Sequence, residues 1–389
     1  MRFFSLAFAL CFLCATASFA APFIPADEAT VLERLPTRSD PSLAELGRLQ
    51  KELAGNPRDI KRAVSVAQRA IAAARAFGDP RFLGQAQAAL GAWWSLADPP
   101  PVVLVLRATI KQSLHDFDAA LVDLDRVIAA DGGNLQALLT RASVLTVLGR
   151  YDEAKRDCAR LAKRAEPLVT TACIAAASSV SGDADGAYRS LDGALATPGK
   201  NPQIRAWAST LAAEIGARRG DVAGAERHFA QALASDPRDG YLKGAYADFL
   251  LEQNRPAAVI ALLKDDTRND ALLLRLALAE SRLPELQTAF RAHRDELAAR
   301  FAAARRRGDV LHLREEARFA LEIERNGADA LVLARDNWSR QREPADLRLL
   351  AATAAAANDT QAQKTVADWI AKTGYQDAWL AVLGTRPRL

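Results

Sequence analysis

Cysteines are the residues whose spacing first indicates chemistry. The chain has four: Cys11 and Cys14 in an apolar N-terminal stretch, and Cys158 and Cys173 near its middle. Two cysteine thiols in an oxidising compartment can form a disulfide. The alternative for the second pair is two packed thiols, because a free cysteine behaves as a small hydrophobic residue.

No spacing of residues indicates catalysis or a metal site. The sequence lacks a phosphate-binding glycine loop, a G-x-S-x-G turn and an H-E-x-x-H helix. Its four histidines lie far apart in sequence, at His115, His228, His293 and His312. Solvated or capping roles are favoured for them over metal ligation. We therefore expect no catalytic residue, no cofactor and no metal ion.

Three short motifs have both a functional and a structural interpretation. Arg-Gly-Asp occurs at residues 219–221 and 307–309 and could mediate adhesion, but Gly and Asp are also typical of helix ends and caps. The arginines at 305–307 could meet a membrane surface, but they equally suit the C-terminus of a helix. Trp93 and Trp94 could face a ligand, although helix packing is the favoured role. We interpret all three as structural.

Residues 1–20 have the pattern of a secretory signal peptide. Arg2 precedes an apolar run over residues 3–14, and small residues lead to Ala20. Cleavage after Ala20 predicts an exported protein, periplasmic in a bacterial-type cell. An uncleaved anchor and a lipoprotein are the alternatives, and the leucines before Cys11 and Cys14 disfavour the lipoprotein. No later stretch reaches about 18 apolar residues, so we expect no transmembrane span after cleavage.

Composition and charge exclude several classes of protein. The chain has 389 residues, of which 50% are hydrophobic and 25% charged, so it is neither collagen-like, wholly disordered nor a polytopic membrane protein. Signal cleavage removes one basic residue and no acid, which lowers the net charge from +4 to +3. So small and scattered a charge argues against nucleic acid as a partner.

Similar turns recur along the sequence with a period of about 34 residues. Phe117 and Tyr151 are 34 residues apart. Corresponding turns follow at residues 182–187, 220–225 and 254–259, and the spacings between successive turns are 33, 38 and 34 residues. The longer spacing predicts an inserted loop at residues 198–202. Repeats of this period are typical of stacked supersecondary units.

Each turn lies between two helical patterns. Leu138, Leu145 and neighbouring apolar residues recur at helical spacing before Gly149, and Ala154 and Leu161 do so after it. Gly or Asn at the turn permits the left-handed conformation that ends a helix, and a following Asp can cap the next helix. Prolines between the units stop the second helix. The sequence therefore predicts a helix, a tight turn, a second helix and a stop in every unit.

This unit resembles the tetratricopeptide repeat. Residues 148–154, Leu-Gly-Arg-Tyr-Asp-Glu-Ala, look like the turn between its helices, and residues 225–237 match its A-x3-F pattern and final proline. The later turns depart from the pattern, with Ala184, Val222 and Pro256 in place of the aromatic residue. The resemblance implies an all-α fold, a right-handed α-α superhelix of antiparallel helix pairs.

The superhelix is expected to extend beyond the clear repeats, and we detect no strand pattern. Helices are predicted from 42 to 54, 59 to 77 and 81 to 96, and again from 271 to 280, 285 to 306 and 310 to 324. The expected organisation is a signal peptide over 1–20, a flexible leader over 21–41, an N-terminal helical segment over 42–100, tetratricopeptide-like repeats over 101–265 and degenerate helical repeats over 266–389.

The helix register gives the cysteine pair a geometric test. Cys158 lies on the second helix of one unit and Cys173 on the first helix of the next. Antiparallel helices meet at residues equidistant from their connecting loop, and the midpoint of this pair falls just before Pro167. The two side chains should therefore lie opposite each other. We predict a disulfide, with packed thiols as the alternative.

The resemblance also implies a function, because tetratricopeptide arrays are typically non-enzymatic scaffolds or adaptors for other proteins. The first helix of each pair lines the groove in that family. The corresponding positions in this chain are Thr109, Gln112, Gln136, Ser143, Trp207, Glu214, Arg218, Tyr241 and Asp248. We expect an extended segment or a helix of an envelope protein, held by Trp207 and Tyr241 as anchors. The alternatives are a small-ligand binder or enzyme with its site in the groove, and a permanent subunit of an envelope complex.

Overall fold

The computed structural model describes residue 27 and residues 40–199, 201–308 and 310–383. The predicted signal peptide, with Cys11 and Cys14, and nearly all of the predicted leader lie outside these residues. Helices make up the secondary structure of the described residues, and no strand occurs among them. None of these helices is long and apolar enough to cross a bilayer. The predicted all-α fold is confirmed.

Four helices form the N-terminal segment. They are α1 (Pro41–Gly55), α2 (Ile60–Phe77), α3 (Arg81–Ala89) and α4 (Gly91–Trp94). The Asp40 carboxylate caps α1 and the Asp59 carboxylate caps α2. The single helix predicted over 81–96 is divided at Leu90, which is fully buried. Gly91 follows it, and glycine weakens a helix interior.

Ten helices form the central pairs. They are α5 (Pro101–Ser113), α6 (Phe117–Ala130), α7 (Leu135–Val147), α8 (Tyr151–Leu161), α9 (Pro167–Ser178), α10 (Ala184–Ala196), α11 (Pro202–Arg218), α12 (Val222–Ser235), α13 (Gly240–Glu252) and α14 (Pro256–Leu263). Odd-numbered helices are the first of each pair. Proline at the start of α5, α9 and α11 needs no hydrogen-bond donor there.

The C-terminal part continues in the same way. It contains α15 (Asp270–Glu280), a short 3-10 helix (Pro284–Leu286), α16 (Gln287–Arg306), α17 (Leu313–Glu322), α18 (Gly327–Arg340), α19 (Pro344–Ala356), α20 (Thr360–Thr373) and α21 (Ala378–Ala381). The helix α15 packs on both α16 and α17, and each helix from α17 to α20 packs on its neighbour in sequence. The helix predicted from residue 310 begins only at Leu313.

Left-handed residues mark the turns inside the pairs. Their φ angles are 59° at His115, 76° at Gly149, 96° at Gly182, 78° at Gly220 and 54° at Asn254. This conformation ends the first helix, and glycine or asparagine adopts it at the least cost. The predicted turn chemistry is therefore confirmed at these positions, while His115 adopts the conformation without being either residue type.

The inserted loop predicted at residues 198–202 is wrong. The connection from α10 to α11 covers only residues 197–201, as short as the connection from α8 to α9 over residues 162–166. The additional residues lengthen α11, which has 17 residues, whereas α7 and α13 each have 13. Asn201 caps this extra turn by accepting from two backbone amides, so the local sequence favours helix there.

Cys158 and Cys173 lie opposite each other on α8 and α9. Their Cα atoms are 5.5 Å apart and the structure joins their sulfurs in a disulfide. Both residues are buried in one apolar cluster with Leu138, Leu145 and Leu161. The bond therefore joins two neighbouring helix pairs inside the shared core.

The helix pairs wind so tightly that successive turns of the superhelix touch. At one edge the Arg238 guanidinium lies 3.1 Å from the Asp40 carboxylate, although the two residues are 198 positions apart. At the other edge the Arg342 amide donates to the Val147 carbonyl over 2.7 Å. The concave side, which the first helices line, is consequently narrow enough for side chains to reach across it.

Candidate functional site

The predicted groove residues fall into equivalent positions of successive first helices. Gln136, Trp207 and Tyr241 each stand 13 residues before the left-handed residue of their turn. Thr109, Ser143, Glu214 and Asp248 each stand six residues before it. Seven residues separate the two series, so both lie on one face of each helix. The structure therefore brings these side chains onto a common concave face.

Four of these side chains are open to solvent. Tyr241 is 62% exposed and Trp207 38% exposed, and Gln136 and Ser143 are also exposed. Large aromatic side chains are otherwise enriched in protein interiors and interfaces. Two exposed rings at the same position of neighbouring repeats are the strongest indication of a binding surface on this face.

The two remaining polar residues of α5 are half-buried and bonded locally. The Thr109 hydroxyl donates to the Val105 carbonyl over 2.9 Å. The Gln112 amide reaches the Ser143 hydroxyl of α7 over 3.4 Å, a long hydrogen bond. Thr109 is therefore bonded within its own helix, and Gln112 connects the neighbouring first helices α5 and α7.

Glu214 and Tyr241 form a direct pair between α11 and α13. The Tyr241 hydroxyl donates to Glu214 Oε1 over 2.7 Å. Burial among the surrounding helices raises the pKa of the Glu214 carboxyl, despite the opposing effects of this hydrogen bond and of Arg218. Burial and the neighbouring Glu214 and Glu343 carboxylates raise the pKa of Tyr241 well above its usual value. The phenol therefore stays protonated and remains a donor.

Asp248 forms ion pairs with two arginines of the same chain. Its carboxylate lies 2.6 Å from Arg275 of α15 and 2.5 Å from Arg318 of α17. Burial alone would raise the pKa of Asp248, but the two guanidinium groups outweigh it and leave the pKa lowered. Asp248 is therefore a charged structural residue on this face.

Arg218 does not lie open in the groove as expected. It is only 6% exposed, and its Nη2 donates to the Ser179 hydroxyl of α9 over 2.9 Å. The side chain therefore packs between neighbouring first helices, because long arginine side chains bury their methylene stems readily.

The comparison with known families identifies the repeating unit. Residues 216–280, from the end of α11 to the end of α15, match the family described as "Tetratricopeptide repeat". This segment of the chain is similar to the tetratricopeptide repeat. The matched segment includes Tyr241 and Asp248, and the pairing of helices with left-handed turns continues on both sides of it.

Solved structures with tetratricopeptide repeats are similar to this chain at low identity. One is a tetratricopeptide repeat protein from Parabacteroides merdae, with 16% identity, a TM-score of 0.36, and coverage of 80% of this chain and 98% of that one. Another is the tetratricopeptide repeat domain of P58(IPK), with 17% identity, a TM-score of 0.23, and coverage of 78% and 99%. No curated protein matches the chain.

Sequence reasoning missed the residues that join distant helix pairs. Arg348 of α19 reaches Glu252 of α13 over 2.5 Å and Asp377 over 2.7 Å. Arg314 of α17 pairs with Glu343 and with Asp346. These partners are far apart in sequence or lie outside the matched repeats, and no local spacing could have revealed them.

The histidines are dispersed, and each that pairs does so with a single carboxylate. His293 lies 2.8 Å from Glu280, and His228 lies 2.9 Å from Asp192. Among the residues that the structure describes, no group of three potential ligands is placed to hold a metal ion.

The other motifs occupy structural positions at helix ends or against the core. Gly220 of the first Arg-Gly-Asp is the left-handed turn residue, and Asp221 caps α12 by accepting from the Gly224 amide. The three arginines end α16 and continue one residue beyond it, and Arg305 pairs with Glu316. Trp93 and Trp94 are half-buried against the N-terminal core.

Proposed function

We propose that the chain is an exported, non-enzymatic scaffold that holds a segment of a partner protein on its concave face. Tetratricopeptide repeats are a fold for binding other proteins, and stacked helix pairs form an extended curved surface suited to this. The pattern of residues 1–20 supports export, and the partner is then an envelope protein. Trp207 and Tyr241 are its anchors.

The observation that carries this proposal is the exposure of those two rings. Trp207 and Tyr241 remain 38% and 62% exposed, whereas Asp248 on the same face is paired with two arginines of the chain. Interface energy is concentrated in a few aromatic and arginine anchors. Contacts with Trp207 and Tyr241 should therefore contribute most to the binding free energy of a partner.

The test is cross-linking of the tagged chain in its native envelope, followed by mass spectrometry. We expect one specific envelope protein, lost from the double variant Trp207→Ala and Tyr241→Ala. The matched control is the double variant Val122→Ala and Val332→Ala, which removes side chains 61% and 68% exposed on the second helices α6 and α18. Capture that survives the aromatic double variant but not the valine variant would place the partner on the outer face.

The export part of the proposal has its own measurement. We expect the mature chain to begin at Ala21 when its N-terminus is sequenced from the periplasmic fraction. A chain that retains residues 1–20 and sediments with membranes would instead indicate an uncleaved anchor.

A further inference from the structure

Glu214 differs from the neighbouring acids on the concave face. Among the described residues, no lysine, arginine or histidine nitrogen comes within 4.0 Å of its carboxylate. By contrast, Asp248 is paired with Arg275 and Arg318, which lie 27 and 70 positions away in the sequence. Glu214 therefore presents a negative charge that the fold does not neutralise by direct contact.

The Tyr241 ring lies next to that charge. Its hydroxyl donates to the Glu214 carboxylate over 2.7 Å, while 62% of the residue remains exposed. The face of a phenol ring is electron-rich and attracts cations, and a nearby carboxylate strengthens this attraction. The two residues together form a surface complementary to a positive charge.

The surrounding charges leave this preference intact. Burial and the neighbouring Glu343 and Asp248 raise the pKa of Glu214, whereas the hydrogen bond from Tyr241 and the charge of Arg218 lower it. The charge of Arg314 acts on the adjoining Tyr241. Arg218 is itself buried and bonded to Ser179. A cation arriving from solvent would relieve the unfavourable environment of the carboxylate.

We propose that Glu214 and Tyr241 bind a lysine or arginine side chain of an extended partner segment. This inference rests on the proposed function, because it names the chemistry of the partner. A segment is favoured over a free amine because small-ligand pockets bury most of their ligand, whereas Tyr241 lies on an open surface. Gln136 and Ser143 are exposed at the equivalent positions of α7, two helix pairs before α11.

Trp207 specifies a second feature of the segment. It lies seven residues before Glu214 on α11, two helical turns along one face, which is about 10 Å at a rise of 1.5 Å per residue. An extended polyproline-type chain advances about 9 Å in three residues and returns to the same side. The segment should therefore carry an apolar residue three positions from its basic residue.

The test is selection from a library of random decapeptides displayed on phage, with the chain from Ala21 as the immobilised protein. We expect peptides with a lysine or arginine three positions from an apolar residue. Synthetic peptides from this pool should bind Glu214→Gln about 5- to 10-fold more weakly, as expected for loss of one partly exposed charge contact. Glu214→Gln keeps an acceptor for the Tyr241 hydroxyl, and Tyr241→Phe keeps the ring.

Controls separate the alternatives. Glu285→Gln, at an exposed carboxylate of the 3-10 helix, should bind the peptides as the wild type does, and circular dichroism should show all variants folded. Selected peptides without a basic preference, or unchanged binding by Glu214→Gln, would overturn this inference and leave the scaffold proposal standing. If no peptide is selected, both fail. Calorimetric binding of n-butylammonium without peptide selection would assign the site to a small amine.

Discussion

Arg348 should hold the last turn of the superhelix in place. Its guanidinium reaches from α19 to Glu252 of α13 over 2.5 Å, and it forms two bonds of 2.7 and 2.9 Å with the Asp377 carboxylate. Truncation in Arg348→Ala leaves both carboxylates in place without their cation. We expect this variant to destabilise the C-terminal helices more than any exposed ion pair does.

The expected magnitude follows from burial. The Asp377 side chain is fully buried, whereas the side chains of Arg348 and Glu252 are 19% and 25% exposed. Breaking a buried pair by removing one partner costs about 3–5 kcal/mol. Asp377 keeps the Tyr375 hydroxyl and the Trp379 amide as donors, which reduces the cost of leaving it unpaired. We therefore expect about 2–3 kcal/mol, below the full range for an uncompensated charge.

The assay is hydrogen exchange measured by mass spectrometry together with urea unfolding. Because stability in stacked repeats is largely a sum of neighbouring interfaces, exchange should rise in α19 to α21 and remain unchanged in α5 to α8. Arg335→Ala is the matched control, since it removes a more exposed pair with Asp359 in the same region, expected to contribute about 0–1 kcal/mol. Equal effects of the two variants would refute the reasoning from burial.

Three further predictions use other features of the fold. Reduction of the Cys158–Cys173 bond, which closes a loop of 15 residues, should lower the free energy of unfolding by about 3 kcal/mol. Urea unfolding with and without reductant measures this difference. Thiol titration tests the bond itself, and two free thiols in the oxidised protein would contradict the prediction. Gly149→Ala should cost more than about 1 kcal/mol, because φ is 76° and the new methyl group would meet the Trp369 ring; an unchanged melting temperature would contradict it. Because the pKa of Glu214 is raised, binding of a lysine-containing peptide should strengthen as pH rises through that pKa, since only the carboxylate attracts the cation; Glu214→Gln should bind independently of pH over that range.

Local chemistry explains why the repeat was readable from sequence. Gly149, Gly182, Gly220 and Asn254 were recognisable because left-handed turns favour these two residue types. His115 was not, since neither its type nor its neighbours indicate a positive φ. The residue type at a turn depends on the backbone conformation at that position. The period of the repeat can therefore be recognised even where the other residues of the family pattern are absent.

The extra turn of α11 shows a limit of the same reasoning. The 38-residue spacing counted the additional residues correctly but could not assign them to loop or helix. Proline and glycine at 198–199 suggested a loop, whereas Pro202 suits the first turn of a helix and Asn201 caps it. The capping signal prevailed, because proline restricts a helix interior but not its start.

Binding residues required information that no local pattern contains. Tyr241 and Asp248 lie seven residues apart on one face of α13, and sequence reasoning placed both in the groove, with Tyr241 as an anchor. The structure leaves Tyr241 62% exposed, but ties Asp248 to Arg318, 70 positions away. Which groove residue is free therefore depends on how tightly the superhelix winds, and that winding is the sum of small rotations between many helix pairs. Only the folded chain distinguishes a residue that meets a partner from one that meets the next turn.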